Sequence, residues 1–266
     1  MTEPLLQSRD GAVLTLTLNR PEKRNPISDM AMIDALCAAM EAADADMDVR
    51  CVILTGAGSA FSSGGDIAKM KAGEGLRDHL PAQTRRNYKA GIQRLPLLFE
   101  ALEVPVIAAV NGPAIGAGLD LACMCDVRVA AEKARFAESF VKIGIVPGDG
   151  GAWLLPRIVG FSKATEMALT GDIIGAEEAR AIGLVSRVVP GERLLEEAQA
   201  IAARIAANSP HAVRMTKRLL REGQGMTLRG VLEMSAAYQA LAHATDDHEE
   251  AIAAFVEKRD PMFGGR

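Results

Sequence analysis

The chain has 266 residues, 49% of them hydrophobic, which suits one large domain, or a domain with a small appendage, around a sizeable core. A formal net charge of -4 argues against nucleic acid or an anionic membrane as the main partner. Any anionic ligand must therefore be met by local positive groups.

From the N-terminus, the alternation Val13-Leu14-Thr15-Leu16-Thr17-Leu18 predicts a strand, paired as a hairpin across Asp10-Gly11 with the segment that starts at Leu5. Residues 19–26 form a polar, proline-broken loop. Ser28 is placed to cap a helix over 29–43. Residues 49–55 are apolar without alternation, the mark of a strand buried on both faces. Residues 69–86, with Gly73, Gly75, Pro81 and many charges, read as a lid or a loosely packed helix. An amphipathic helix follows over 92–103, then strands over 104–110 and 126–131. Residues 136–151 read as irregular, 153–159 and 162–169 as helices. A short helix over 176–182 is stopped by Gly183, and a strand covers 184–189. Beyond Gly191 the pattern is almost wholly helical, with Ser209 at an N-cap and Pro210 at the first helical position. These last helices suit packing on a neighbouring subunit or on the chain's own core. The alternation of strand and helix predicts an α/β core, with a division at residues 1–200 and 201–266.

Four cysteines, Cys37, Cys51, Cys123 and Cys125, lie in apolar segments and read as buried free thiols of a reducing compartment. Cys123-Met124-Cys125 is spaced too tightly for the usual CxxC redox or zinc pattern. The start, Met1-Thr2-Glu3-Pro4, has no basic region followed by an apolar stretch, and no run approaches the ~20 apolar residues of a membrane span. A cytoplasmic location is expected.

Two stretches share one design: an apolar run, a glycine-rich turn, then an aspartate opening a helix. One leads from Thr55-Gly56 to Ser63-Gly64-Gly65-Asp66, the other from Val110-Asn111-Gly112 to Gly116-Ala117-Gly118-Leu119-Asp120. Such turns expose backbone N–H groups that attract negative charge. Gly116-Ala117-Gly118 lacks the third glycine of a dinucleotide fingerprint, because position 121 is Leu. No GxxxxGK[ST] sequence or GxSxG elbow occurs. The four histidines are scattered and read as surface residues, and no metal site is expected. The better reading is a pair of N–H donors, near Gly65 and Ala117, aimed at one developing oxyanion; the alternative is that the glycines serve only tight turns. Asp120 is a lone acid in an apolar helix start. It must be hydrogen-bonded or have its pKa raised by burial, or it serves the helix dipole. Asp149, in Pro147-Gly148-Asp149-Gly150-Gly151, reads as a turn former or a second acid.

At these residues the chain resembles the crotonase superfamily of enoyl-CoA hydratases and isomerases. The resemblance runs nearly the whole length, through Leu18-Asn19-Arg20-Pro21, Phe61-Ser62-Ser63-Gly64-Gly65-Asp66, Pro105 to Ala114, Gly116-Ala117-Gly118, Gly171-Asp172 and Glu257-Lys258-Arg259. It implies an α/β fold, a spiral of ββα units with a helical C-terminal region, assembled as a homotrimer or a dimer of trimers. It implies acyl-CoA thioester substrates and no further cofactor. The thioester oxygen would be held by the N–H groups of Gly65 and Ala117. Coenzyme A would run along the Lys23-Arg24 loop and the segment holding Ala60, Phe61, Ser63, Asp66 and Ile67, with Lys23, Arg24 and Lys258 as candidates for its phosphates.

One departure concerns the chemistry. Hydratases of the resembled family hold water between two glutamates. The first position is Asp120 here, shorter by one carbon–carbon bond, about 1.5 Å. The second is Phe140, which cannot move a proton. Glu138, two residues earlier, and Asp149 are the acids able to substitute; Asp149 is one residue out of step with the catalytic aspartate of dienoyl isomerases and a dehalogenase. Hydration of a 2-enoyl-CoA by Asp120 with Asp149 or Glu138 is the leading expectation. The others are a different crotonase reaction, such as isomerisation or thioester hydrolysis, and an acyl-CoA-binding protein with little catalysis.

Overall fold

The computed structural model describes residues 3–71 and 73–266. Met1 and Thr2, on which the expectation about a leader partly rests, and Ala72, within 69–86, lie outside the described residues.

Strands β1 (Leu5–Asp10) and β2 (Val13–Leu18) form the expected antiparallel hairpin. β2 then pairs in parallel with β3 (Cys51–Gly56), and β4 (Val106–Val110), β5 (Ala114–Ile115) and β6 (Val127–Ala131) follow along the chain. β7 (Arg135–Ala137), β8 (Ile174–Gly175) and β9 (Arg187–Val189) complete the set. The main sheet has the order β1-β2-β3-β4-β6-β9, and a small sheet has the order β5-β7-β8. The central strands β3 and β4 are buried on both faces, and their side chains divide by parity. Val52 and Leu54 of β3, with Ala108 and Val110 of β4, enter one core; Cys51, Ile53, Ile107 and Ala109 enter a second core on the opposite face. That division explains why these runs do not alternate with polar residues.

Helices occupy both faces. On the larger core lie α1 (Met30–Ala45), the exposed α2 (Pro81–Ala90), α3 (Arg94–Ala101) and α4 (Ala117–Met124). α5 (Gly151–Val159), α6 (Phe161–Thr170) and α7 (Ala176–Ala181) come next. α8 (Leu194–Ala206) covers the second core through Leu194, Ala198 and Ala202. It runs straight through the expected division at residue 200. α9 (Pro210–Glu222), α10 (Leu228–His243) and α11 (Asp246–Glu257) form the helical C-terminal region.

Several expectations are revised. Asp29, not Ser28, caps α1: its extended backbone lets the carboxylate accept the Ala31 N–H at 3.1 Å, while Ser28 Oγ accepts the Asp66 N–H. Ser209 does sit at the N-cap of α9, but its hydroxyl donates to Asp247 Oδ2 at 2.9 Å instead of capping. The 69–86 segment divides into turns and α2, whose first residue is Pro81. The irregular 136–151 stretch contains β7 and a 3-10 turn over Ser139–Ile143. All four cysteines are free and buried, and burial pushes the thiols of Cys51, Cys123 and Cys125 up to about 12.

α9 docks on the chain's own core, through a cationic face. Arg214, Lys217 and Arg221, spaced on one side of the helix, reach the ends of α1, β3 and β4. Arg214 donates to the Asp44 carboxylate and the Val49 carbonyl, and Lys217 to the Val104 carbonyl at 2.6 Å. Arg221 donates to Asp126 and to the Phe99 and Met124 carbonyls.

Candidate active site

The two glycine turns are laid backbone on backbone. Ser62 bridges to Ala114, and the Ile115 N–H donates to the Ser62 carbonyl at 3.0 Å. A Cβ on Gly118 would strike the Ser62 carbonyl, and one on Gly64 would lie 3.0 Å from Ala117 N. Glycine here serves close approach as well as the positive φ of Gly64 (80°) and Gly116 (54°). Ala117 opens α4, so its N–H has no partner within the helix. Among the described residues, neither the Gly65 nor the Ala117 N–H finds an acceptor. Two donors at adjoining turns, one at a helix N-terminus, make a place for negative charge.

One turn into α4, Asp120 is completely buried and meets two further carboxylates. Glu138 comes from the residue before the 3-10 turn, and Asp149 from the residue before Gly150, the N-cap of α5. Glu138 is 1% and Asp149 2% exposed. The Gly151 backbone is wedged between Asp120 and Glu138, and its N–H donates to Asp120 Oδ2 at 3.1 Å. Any side chain at 151 would collide with both acids. Asp120 Oδ1 and both oxygens of Glu138 and of Asp149 receive no protein donor. Asp120 lies close enough to each of the other two to share a proton. Burial is the main cause of their common behaviour. It raises Asp120 well above the usual carboxylate range, with the charges of Asp149 and Glu138 adding to the effect. Glu138 is pushed up to about 8, and Asp149 is raised as well. All three carboxyls therefore hold their protons more tightly than exposed carboxylates do.

Phe140 stands beside this trio as a wall. Its ring lies 3.6 Å from where a Cβ on Gly116 would point, so it covers the turn that carries Ala117. Beside Asp66 opens a cavity of about 1140 Å³, lined in part by Met70, Leu76, Tyr88, Ile143 and Ile145. Tyr88 is a residue that sequence reasoning missed. It packs on Gly148, next to Asp149; burial, then the Asp149 charge, raises its phenol. The available signal was an aromatic residue in a helix otherwise polar and basic.

The positions expected to meet coenzyme A fare differently. The Arg24 carbonyl accepts the Ser63 N–H at 2.8 Å, so the Lys23-Arg24 loop does lie against the Ser63 segment. Lys23 is engaged with Asp66 at 3.4 Å, and Asp66 also caps the turn Ile67–Lys69 through the Ala68 N–H. Ile67 is exposed, but Ala60 and Phe61 point into the protein and are buried. Their side chains belong to the core, and only their backbone is available to a ligand. Lys258 caps the far end of α11 with φ 58°, and no described contact joins it to Lys23 or Arg24. His243 and His248 lie apart from the site and face each other across the α10–α11 corner, ring nitrogens 2.9 Å apart.

Comparison with known proteins agrees with this architecture. The family model "Enoyl-CoA hydratase/isomerase" matches residues 8–266. The chain is 41% identical to 2,3-dehydroadipyl-CoA hydratase of Escherichia coli K12 over 98% of its own length and 99% of the relative's. It is 36% identical to 1,2-epoxyphenylacetyl-CoA isomerase of the same organism, over 100% of both chains. The crystal structure of an enoyl-CoA hydratase from Bacillus anthracis superposes with a TM-score of 0.91 at 35% identity, covering 99% of this chain and 100% of that one. The chain is thus an enzyme of the enoyl-CoA hydratase/isomerase family, with the crotonase fold.

Proposed function

We propose that the protein hydrates a 2-enoyl-CoA thioester, with the Gly65 and Ala117 N–H groups on the thioester oxygen and the Asp120–Glu138–Asp149 trio as proton exchanger. The observation that carries the reading is the cluster of three buried carboxyl groups without protein donors for five of their oxygens, one turn of helix from the paired backbone donors. Water attacks the β-carbon while a carboxylate of the trio takes its proton. The electron pair of the double bond moves to the thioester oxygen, where the two N–H groups stabilise the enolate; one such donor typically contributes ~10²–10³ in rate. A protonated member of the trio then delivers a proton to the α-carbon, so one water is added and the trio regains its original proton count. This division of labour needs no acid at Phe140. The cavity beside Asp66 receives the acyl chain.

A shared proton between two acids would equally serve a 1,3-proton shift, and a full-length relative bears the name of an isomerase. Mass spectrometry of the products from crotonyl-CoA and 2-hexenoyl-CoA separates the reactions. Gain of one water supports hydration, and a rearranged product of unchanged mass supports isomerisation. Persistence of both enoyl-CoAs would overturn the hydratase reading.

The same reading takes the protein to be cytoplasmic, where free thiols are stable, and to assemble as a homotrimer or a dimer of trimers. α10 buries no residue, and Leu228, Leu232 and Leu241 are exposed on it. Light scattering that gives a monomer mass would refute the assembly. No described helix is long and apolar enough to cross a membrane.

A further inference from the structure

The amides of residues 63–66 cross the first glycine turn, and all but one are taken. The Ser63 N–H donates to the Arg24 carbonyl at 2.8 Å, the Gly64 N–H to Ser62 Oγ at 3.1 Å and the Asp66 N–H to Ser28 Oγ at 3.1 Å. Gly65, between them, keeps an N–H that no described residue accepts. Its direction is also set. A peptide unit is planar and trans, so its carbonyl and its N–H point opposite ways. The carbonyl in the plane of the Gly65 N–H is that of Gly64, and it accepts the Ile27 N–H at 2.8 Å. Anchoring that carbonyl on Ile27 turns the Gly65 N–H away from residues 24–28.

Residues 24–28 are thus the template for this turn, and their own backbone is uncommon. Arg24 and Asn25 have φ of 61° and 55°, a left-handed conformation that residues other than glycine rarely adopt. Such backbone persists where its surroundings over-determine it. Asn25 is fully buried; its side-chain amide donates to the Ala57 and Ala60 carbonyls and its Oδ1 accepts the Arg20 N–H, each at 2.9 Å. The Asn25 carbonyl accepts the Ser62 hydroxyl at 2.8 Å. Ser62, also fully buried, therefore donates to the template and accepts from the turn with one oxygen.

The second donor has a different support. Ala117 opens α4, and the Gly116 carbonyl, which shares its peptide plane, accepts the Asp120 N–H at 3.0 Å. The helix itself aims the Ala117 N–H. After Gly65 comes only the short 3-10 turn Ile67–Lys69, so that donor is aimed by side chains.

We infer that Ser62 and Ser28, with Asn25 behind them, are positioning residues of the reaction: acting through the turn, their hydroxyls aim the Gly65 N–H at the thioester oxygen. The inference rests on the oxyanion reading above and adds to it the side chains through which one half of the hole can be lost.

The direct readout is the substrate carbonyl. Butyryl-CoA labelled at that carbon with a heavy isotope lacks the double bond to be hydrated, and its carbonyl stretch falls when hydrogen bonds polarise it. Difference infrared spectra of the full chain should show the bound band below that of the free ligand. In Ser62→Ala and in Ser28→Val the band should move back toward the free position. Each variant should also lose about tenfold in kcat with crotonyl-CoA, short of the ~10²–10³ that loss of a whole donor costs. Ser28→Thr has the shape of Ser28→Val but keeps the oxygen, and should restore the band and, to within about twofold, the rate. Affinity for coenzyme A alone, which has no acyl carbonyl, should change less than about twofold in every variant. Ser28 is half-buried, so its two variants carry the test if Ser62→Ala folds poorly. An unmoved band in Ser62→Ala and Ser28→Val overturns the inference and leaves the hydroxyls as partners of buried amides only. So does Ser28→Thr behaving as Ser28→Val. Failure of the underlying reading looks different: the unaltered protein would leave the carbonyl band where the free ligand has it, or would not bind butyryl-CoA.

Discussion

Two of the places where the chain buries ionisable side chains treat them in opposite ways. Under α9, each buried cation is matched. Lys217 has Asp126 at 2.9 Å and the Val104 carbonyl, and Arg221 has Asp126, Glu100 and two carbonyls. Arg214 has Asp44 and carbonyls of the segment before β3. Asp126 also accepts the Val106 N–H at 2.8 Å, so the seam locks α9 to β4. At the trio, three carboxyl groups face one another and five side-chain oxygens have no donor. A matched cluster is what folding needs when charge is buried; an unmatched one costs stability and persists where chemistry uses it. Burial alone does not distinguish the two places. The count of donors against acceptors does.

That contrast can be broken from either side. The largest effect is expected at the trio: Asp120→Asn should lower kcat/KM by ~10²–10⁴, the usual worth of a positioned acid–base group. The same change removes a buried carboxyl whose ionisation burial and its acidic neighbours oppose, so the melting temperature should hold or rise. A fall in both together would mean that Asp120 is structural. At the seam the pattern reverses. Asp126→Ala leaves Lys217 without its carboxylate and Arg221 with Glu100 as its one remaining carboxylate, and should cost ~3–5 kcal/mol in urea unfolding. Steady-state kinetics of the protein that remains folded should stay within about twofold; a change in kcat with unaltered stability would contradict the division.

A smaller effect sharpens the comparison through pH. Glu138 holds its proton more tightly when folded, up to about 8, than an unfolded glutamate at 4.5. The folded state therefore binds more protons across that window. Its contribution is fully present below pH 4.5 and is lost as pH rises toward 8. Urea midpoints should fall over this range, and Glu138→Gln should flatten the fall. An unchanged slope in the variant would place the titration elsewhere in the trio.

Much of this organisation is legible in the sequence, for identifiable reasons. Strands buried on both faces leave continuous apolar runs, as in β3 and β4, and glycine turns need glycine for steric reasons that any reader of the chain can apply. Asp120 stood out because a lone acid interrupts an apolar helix. Other features leave no local trace. β5 and β8 have two residues each, too few for any periodicity. Asp149 looks like a turn former because its flanking glycines do form the turn; its burial comes from Tyr88 and α4, distant in sequence. The face by which α9 docks is cationic, so a search for an apolar stripe passes over it. Phe140 was the most instructive position, because a missing acid pointed to chemistry spread over neighbouring segments.

The wedge of Gly151 between Asp120 and Glu138 carries a consequence for how such a site changes over generations. On the proposed reading the carbonyl-binding part is main chain, so ordinary substitutions would not delete it without disturbing the turns. The three acids stand on separate segments, at the start of α4, before the 3-10 turn and before α5. Each can be exchanged singly while the backbone around Gly151 stays in place. If the proposed roles hold, a lineage built this way would trade one reaction for another in single mutational steps, while its grip on the thioester would be inherited unchanged.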